Sequence, residues 1–116
     1  PYILSKADVN IINVKNTGLT KYGCSWNKLF EYIASENPIL CNFPQKYDLI
    51  NEYHLGKSEK FASSRDYAKR IKELVDITEE ERRAVRENAK KLKKEYDYQY
   101  LTTCLEKIFS NVVGEK

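Results

Sequence analysis

The stretch that decides the fold runs from Asp8 to Phe43: DVNIINVKNTGLTKYGCSWNKLFEYIASENPILCNF. It opens on Val9-Asn10-Ile11-Ile12-Asn13-Val14, a short β-branched run that reads as a strand. Lys15 to Gly23 follows, with Asn16, Thr17, Gly18 and Gly23, all loop-prone. Trp26, Leu29, Phe30, Ile33 and Ala34 then fall at i, i+3, i+4, i+7 and i+8, one apolar helical stripe. Ser25 stands where an N-cap belongs. Glu36-Asn37-Pro38 ends that helix, because proline disfavours helical backbone in the residue before it. Pro38 to Phe43 reads as a second, buried strand. Strand, helix, strand in this order is the crossover unit of a parallel sheet.

Working outward, Leu4 to Ala7 reads as the end of a preceding helix. Pro44 suits the first turn of a helix running to about Tyr53. Gly56 opens a turn, and Lys57 to Phe61 reads as a short third strand. Ser63 or Ser64 caps the next helix, whose apolar face is Tyr67, Ala68, Ile71, Leu74 and Val75. Thr78 to Glu81 is a capping box opening a helix to about Tyr96. Glu79–Arg83 and Glu87–Lys91 stand in the favourable i, i+4 order. A last helix, about Gln99 to Val112, is expected to bury Leu101, Leu105, Ile108 and Phe109. The fold class is therefore α/β: a partial Rossmann-like domain with a short parallel three-stranded sheet, crossover helices and a helical tail. Residues 1–76 form the half-domain and 77–116 the tail of the same domain.

Three strands make a thin sheet, since doubly wound domains usually carry five or six. The first strand is too apolar for an exposed edge. Strands are expected to be missing on that side, either because the chain is a fragment or because another copy covers the edge as a homodimer.

The 116 residues suit one domain. Hydrophobic residues at 41% and charged residues at 32% argue against wholesale disorder. No apolar run reaches the roughly 18 residues of a membrane span. Twenty basic against 17 acidic residues, net +3, is too mild a balance to indicate nucleic acid. Cys24, Cys41 and Cys104 show no disulfide or zinc spacing, and His54 alone rules out a histidine metal cluster. His54 reads as a surface or capping residue. Cys24 sits near a helix start, which lowers a thiol pKa, but no base stands beside it. The lysine run at 90–94 reads as a solvated helix face, partly cancelled by Glu79–Glu81 and Glu87.

The segment with chemical content is Lys21 to Tyr32. A loop after a parallel strand enters a helix, and ligands of open α/β sheets bind at the carboxyl ends of strands. The helix start offers unpaired N–H groups and about half a positive charge. Lys21 and Lys28 add full charges, and Ser25 and Asn27 add short polar side chains. The set suits a diphosphate. Glu31 would repel a phosphate placed against it and is better suited to sugar hydroxyls. The other reading of the same residues is a capped amphipathic helix with a Lys28–Glu31 pair on its solvated side.

The elements Ala7-Asp8 before Val9–Val14, Lys21-Tyr22-Gly23 with Ser25, Asn27 to Tyr32, and Asn37-Pro38-Ile39-Leu40 resemble the C-terminal domain of group 1 (family 4) retaining glycosyltransferases, of GT-B architecture. The resemblance implies binding of a nucleotide diphosphate sugar, with Glu31 on the ribose and Ser25, Asn27, Lys28 and Lys21 on the diphosphate side. It implies no metal or other cofactor, transfer to a saccharide or lipid-linked acceptor, and polysaccharide biosynthesis. The unpatterned cysteines read as a reducing cytoplasm, and a lipid-linked acceptor would bring peripheral attachment at the inner face of the membrane. The resemblance implies a separate N-terminal acceptor domain onto which the last helix crosses, so that Tyr96, Tyr98 and Tyr100 pack there or in an ordinary core. Gly23 stands where many members carry a first glutamate, and Trp26 replaces the usual proline. The catalytic residues are not identified, and the chain alone is expected to be inactive. From another class, a small non-catalytic α/β interaction module with a partner-binding helical tail fits the same pattern.

Overall fold

The computed structural model describes residues 2–15, 17, 18, 22 and 27–114. Element order is α1 (Tyr2–Ser5), β1 (Asn10–Ile12), α2 (Asn27–Ser35), β2 (Ile39–Cys41), α3 (Leu49–Glu52), β3 (Gly56–Ser58), α4 (Ser64–Val75), α5 (Glu79–Glu95) and α6 (Tyr98–Gly114). The three strands form one parallel sheet in the order β1-β2-β3. This is the partial Rossmann-like α/β architecture expected from the strand and crossover pattern. The strands are shorter than their apolar runs, and the third begins one residue early, at Gly56.

Asn10 pairs with Ile39 and Ile12 with Cys41 across β1 and β2. Side chains alternate along a strand, so these residues share one sheet face. On that face the core gathers Ile12, Ile39 and Cys41 with Leu29 and Ile33 of α2, Ile50, Leu55, and Ala89 and Leu92 of α5. Leu40, on the opposite face, is also fully buried. A strand covered on both sides is the norm for parallel sheets.

Side chains bond part of each outer edge of the sheet. The Asn10 N–H donates to Pro38 and the Asn42 N–H to the Ile12 carbonyl, so the Ile11 backbone faces away from β2. The Tyr32 hydroxyl donates to the Ile11 carbonyl at 3.3 Å. Among the described residues no strand pairs with this side of β1. On the far edge the Asn51 amide grips Ser58 twice. It accepts from the Ser58 N–H at 3.1 Å and donates to the Ser58 carbonyl at 2.8 Å.

The helix expected from Pro44 is cut to one turn, Leu49–Glu52. The Phe43 carbonyl accepts from the Cys41 thiol and the Ser58 hydroxyl. Asp48 is the N-cap instead, accepting from the Asn51 N–H at 3.1 Å. His54 is exposed and takes a positive φ of 53° just after the end of α3.

Ser63 caps α4, whose Leu74 is buried and whose Ala68 and Val75 are exposed. The capping box of Thr78 and Glu81 is formed in full. Arg82, one turn on, donates to the Asp8 carbonyl at 3.1 Å and the Val75 carbonyl at 3.2 Å. It ties α5 to the entry of β1. Glu87 pairs with Lys90 rather than Lys91.

The largest departure is α6. It spans Tyr98–Gly114 and contains no buried residue. Leu101, Leu105, Ile108 and Phe109, expected in a core, are 42 to 59% exposed. Amphipathic spacing marks a face that wants a partner, and the described residues supply none. Tyr96 packs on Phe30 with ring centroids 5.3 Å apart, whereas Tyr98 is 88% exposed.

Candidate functional site

The parallel strands all point their carboxyl ends to one edge, where β1 hands over to the loop that enters α2. Lys21 and Ser25 fall outside the described residues, as do Gly23, Cys24 and Trp26. Asn27, Lys28 and Glu31 are described. Asn27 is the first residue of α2, and it and Lys28 are exposed in its first turn. Glu31 lies one turn after Asn27 and is also exposed.

The helix is held by its inner face. Leu29 and Ile33 are buried, and the Ser35 hydroxyl accepts from Asn10 Nδ2 at 2.8 Å while donating to the Tyr32 carbonyl. These contacts fix the rotation of α2, so Lys28 and Glu31 face outward by necessity. The Lys28–Glu31 ion pair is not formed. Neither side chain makes an ion pair or hydrogen bond among the described residues. Each keeps its charge available to a ligand.

Glu31 opens onto a groove of about 500 Å³ between α1 and α2, lined also by Tyr2, Leu4, Ser5, Ala34 and Ser35. Asn37, just after α2, donates from Nδ2 to the Leu4 carbonyl at 2.8 Å and so ties α1 to the end of that helix. Glu31 is therefore directed at an opening, although that opening runs down the helix towards Ser35. Asn27 and Lys28, at the start of the helix, do not line it.

A second crevice, about 450 Å³, lies at the carboxyl edge itself. It is lined by Asn13, Asn42, Phe61, Ser63, Ser64 and Tyr67. Asn13 directly follows β1 and Asn42 directly follows β2. Asn42 imitates a strand neighbour for Val14, accepting from its N–H at 2.7 Å and donating to its carbonyl at 3.1 Å. Asn13 Oδ1 accepts from the Tyr67 hydroxyl at 2.6 Å. Burial pushes the Tyr67 pKa up, so the phenol stays protonated as that donor. The Asn13 amide is thereby left with its N–H groups to offer. Periodicity did not single out these residues. The signal was present all the same: an asparagine stands immediately after each of the first two strands, at the edge where such folds bind ligands.

Among the described residues no three His, Cys, Asp or Glu side chains converge as a metal site would need. No helix among them is long and apolar enough to cross a membrane. Comparison with family models, curated proteins and solved structures finds no match to this chain.

Proposed function

We propose that the chain is the donor-binding part of a retaining glycosyltransferase, which takes a sugar from a nucleotide diphosphate sugar to a saccharide or lipid-linked acceptor. The observation that carries this reading is the pairing state of α2. Lys28 and Glu31 share the exposed side of a helix that follows the first strand of a parallel sheet, and neither is neutralised by another described residue. A cation in the first turn adds to the helix dipole and favours a diphosphate. A carboxylate one turn further is suited to accept from two ribose hydroxyls. Asn27 donates to the phosphates, with Ser25 and Lys21 assigned to the same side. In transfer, these positive groups would stabilise the departing nucleoside diphosphate. The crevice of Asn13, Asn42 and Ser64 adds polar groups at the carboxyl edge of the same sheet.

The reaction needs an acceptor held in line within a closed cleft. The described residues form one wall. Among the described residues no strand pairs with the outer side of β1, which supports a reading in which further strands and an acceptor domain complete the enzyme. The chain alone is expected to give no turnover in a sugar-transfer assay. A second reading, a non-catalytic interaction module, is favoured by the Tyr32 hydroxyl on Ile11, which closes part of that edge from within.

Titration of the 15N-labelled chain with UDP-glucose, GDP-mannose and their nucleoside diphosphates tests the assignment. Shifts are expected at Asn27 to Glu31. Lys28→Ala should weaken nucleoside diphosphate binding about tenfold, the scale of one charge-assisted hydrogen bond. Glu31→Gln should reduce the preference for ribose over 2′-deoxyribose nucleotides. No binding to any nucleotide leaves the module reading in its place.

A further inference from the structure

The exposed face of α6 has a regular spacing. Tyr98, Leu101, Leu105, Ile108 and Val112 follow one another at intervals of 3, 4, 3 and 4 residues, the a/d repeat of a coiled-coil seam. Their exposures are 88, 42, 49, 57 and 59%. Both charges of the helix, Glu106 and Lys107, lie off this seam. The positions flanking the seam are Thr102, Cys104, Phe109 and Asn111, so no charge guards it against self-pairing.

The pattern is also symmetric about its own midpoint, between Glu106 and Lys107. A second copy laid antiparallel sets Leu101 against Val112 and Leu105 against Ile108, and the same pairs recur on the other side of the two-fold axis. One surface is thus its own complement, the requirement of an isologous dimer. Antiparallel packing also opposes the two helix dipoles favourably.

We propose that α6 pairs antiparallel with α6 of a second copy of this chain. The seam continues beyond the helix. Tyr98 lines a groove of about 270 Å³ whose apolar wall is Phe30, Ile33, Leu92 and Tyr96 and whose rim carries Lys93 and Asp97. The C-terminal end of the partner's α6, with its Val113, reaches that groove. At these exposures the stripe offers on the order of 500 Å² of apolar surface per copy. The pair then covers about 1,000 Å², the lower limit for a specific interface, which sets a micromolar dimer rather than a permanent one. The lysine groove between α5 and α6, lined by Lys90, Lys91, Lys94 and Tyr100, lies on the other side of α6 from this stripe and stays open. The pairing does not depend on the donor assignment, and it stands in place of the acceptor-domain contact that the resemblance implies for the last helix.

Sedimentation equilibrium of the whole chain from about 5 to 500 µM tests the proposal, with far-UV circular dichroism to verify each variant's fold. The expected result is a monomer–dimer equilibrium in the micromolar range. Ile108→Glu weakens it at least about 30-fold, since two carboxylates would be buried in the seam. Lys107→Glu, off the seam, leaves it within about twofold. Orientation is read by mixing. Leu101→Lys and Val112→Asp each dimerise poorly alone, but an equimolar mixture regains association, because only an antiparallel pair sets residue 101 against residue 112. A chain monomeric at 500 µM, a dimer indifferent to Ile108→Glu, or a mixture without recovery overturns the proposal. So does a monomer that instead binds phosphatidylglycerol vesicles through the same residues, which makes the face a membrane surface.

Discussion

The Tyr32 hydroxyl donates to the Ile11 carbonyl at 3.3 Å, across 21 residues of sequence, on the side of β1 that no strand occupies among the described residues. An edge carbonyl away from water would otherwise be left unsatisfied. One helix side chain thus does for a sheet edge what a neighbouring strand does elsewhere. Tyr32→Phe keeps the ring and removes the bond. It should lower the unfolding free energy by about 1 kcal/mol in urea titration. An unchanged midpoint would show that solvent already serves that carbonyl.

Gly56 is expected to be intolerant of any side chain. Its φ is 154°, and an added Cβ would fall 1.9 Å from the Ile39 carbonyl oxygen and 2.7 Å from the Ile39 nitrogen. Both contacts are with backbone of the central strand, which cannot move without breaking its pairing. Gly56→Ala should therefore cost 3 kcal/mol or more, on the order of the most damaging core changes. Gly18→Ala is the control. It meets nothing within 4 Å and should change stability by less than about 0.5 kcal/mol.

Leu92 tests whether α5 is an appendage or part of the core. It is fully buried and belongs to the cluster of Leu29, Ile33 and Ile39. Leu92→Ala should destabilise by about 2–5 kcal/mol and shift the unfolding of the whole domain in one transition. Loss of helix signal alone, with the sheet core still melting at the original midpoint, would mean that residues beyond 76 fold separately.

The capping box should give stability a dependence on acid. Backbone and hydroxyl hydrogen bonds from Thr78 hold the Glu81 carboxyl below its ordinary value of 4.5. A depressed carboxylate contributes fully above its unfolded pKa, and the contribution falls away as pH drops through the folded value. Wild type should therefore lose more stability than Glu81→Gln between pH 6 and pH 3. Equal losses in thermal melts would indicate that the box is open in solution. Thr78→Ala should cost about 1 kcal/mol at neutral pH.

The sheet was legible because its signals are local. β-branched runs, Pro38 and the cap residues each act within a few positions, and the parallel order follows from the helices between them. Pro44 misled for a tertiary reason. Its preference for a first helical turn is genuine, but the Phe43 carbonyl is taken by Cys41 and by Ser58, and Ser58 lies 15 residues ahead. Periodicity identified the apolar side of α6 and could not say whether this chain would cover it. At the candidate site, charge and spacing placed Lys28 and Glu31 outside the core. They did not show that the two charges would stay apart, nor that Tyr67 would reach Asn13 from 54 positions away.

Arg82 and Leu92 carry a consequence for synthesis. The sheet half of the molecule is translated first, yet its last core layer comes from α5, and Arg82 locks that helix to the start of β1. While residues 79–95 are still inside the ribosomal exit tunnel, Leu29, Ile33 and the strands have emerged without their cover. Until α5 emerges, the nascent chain must hold an oily, unfinished half-domain, a window in which a chaperone that binds exposed apolar surface would have something to hold.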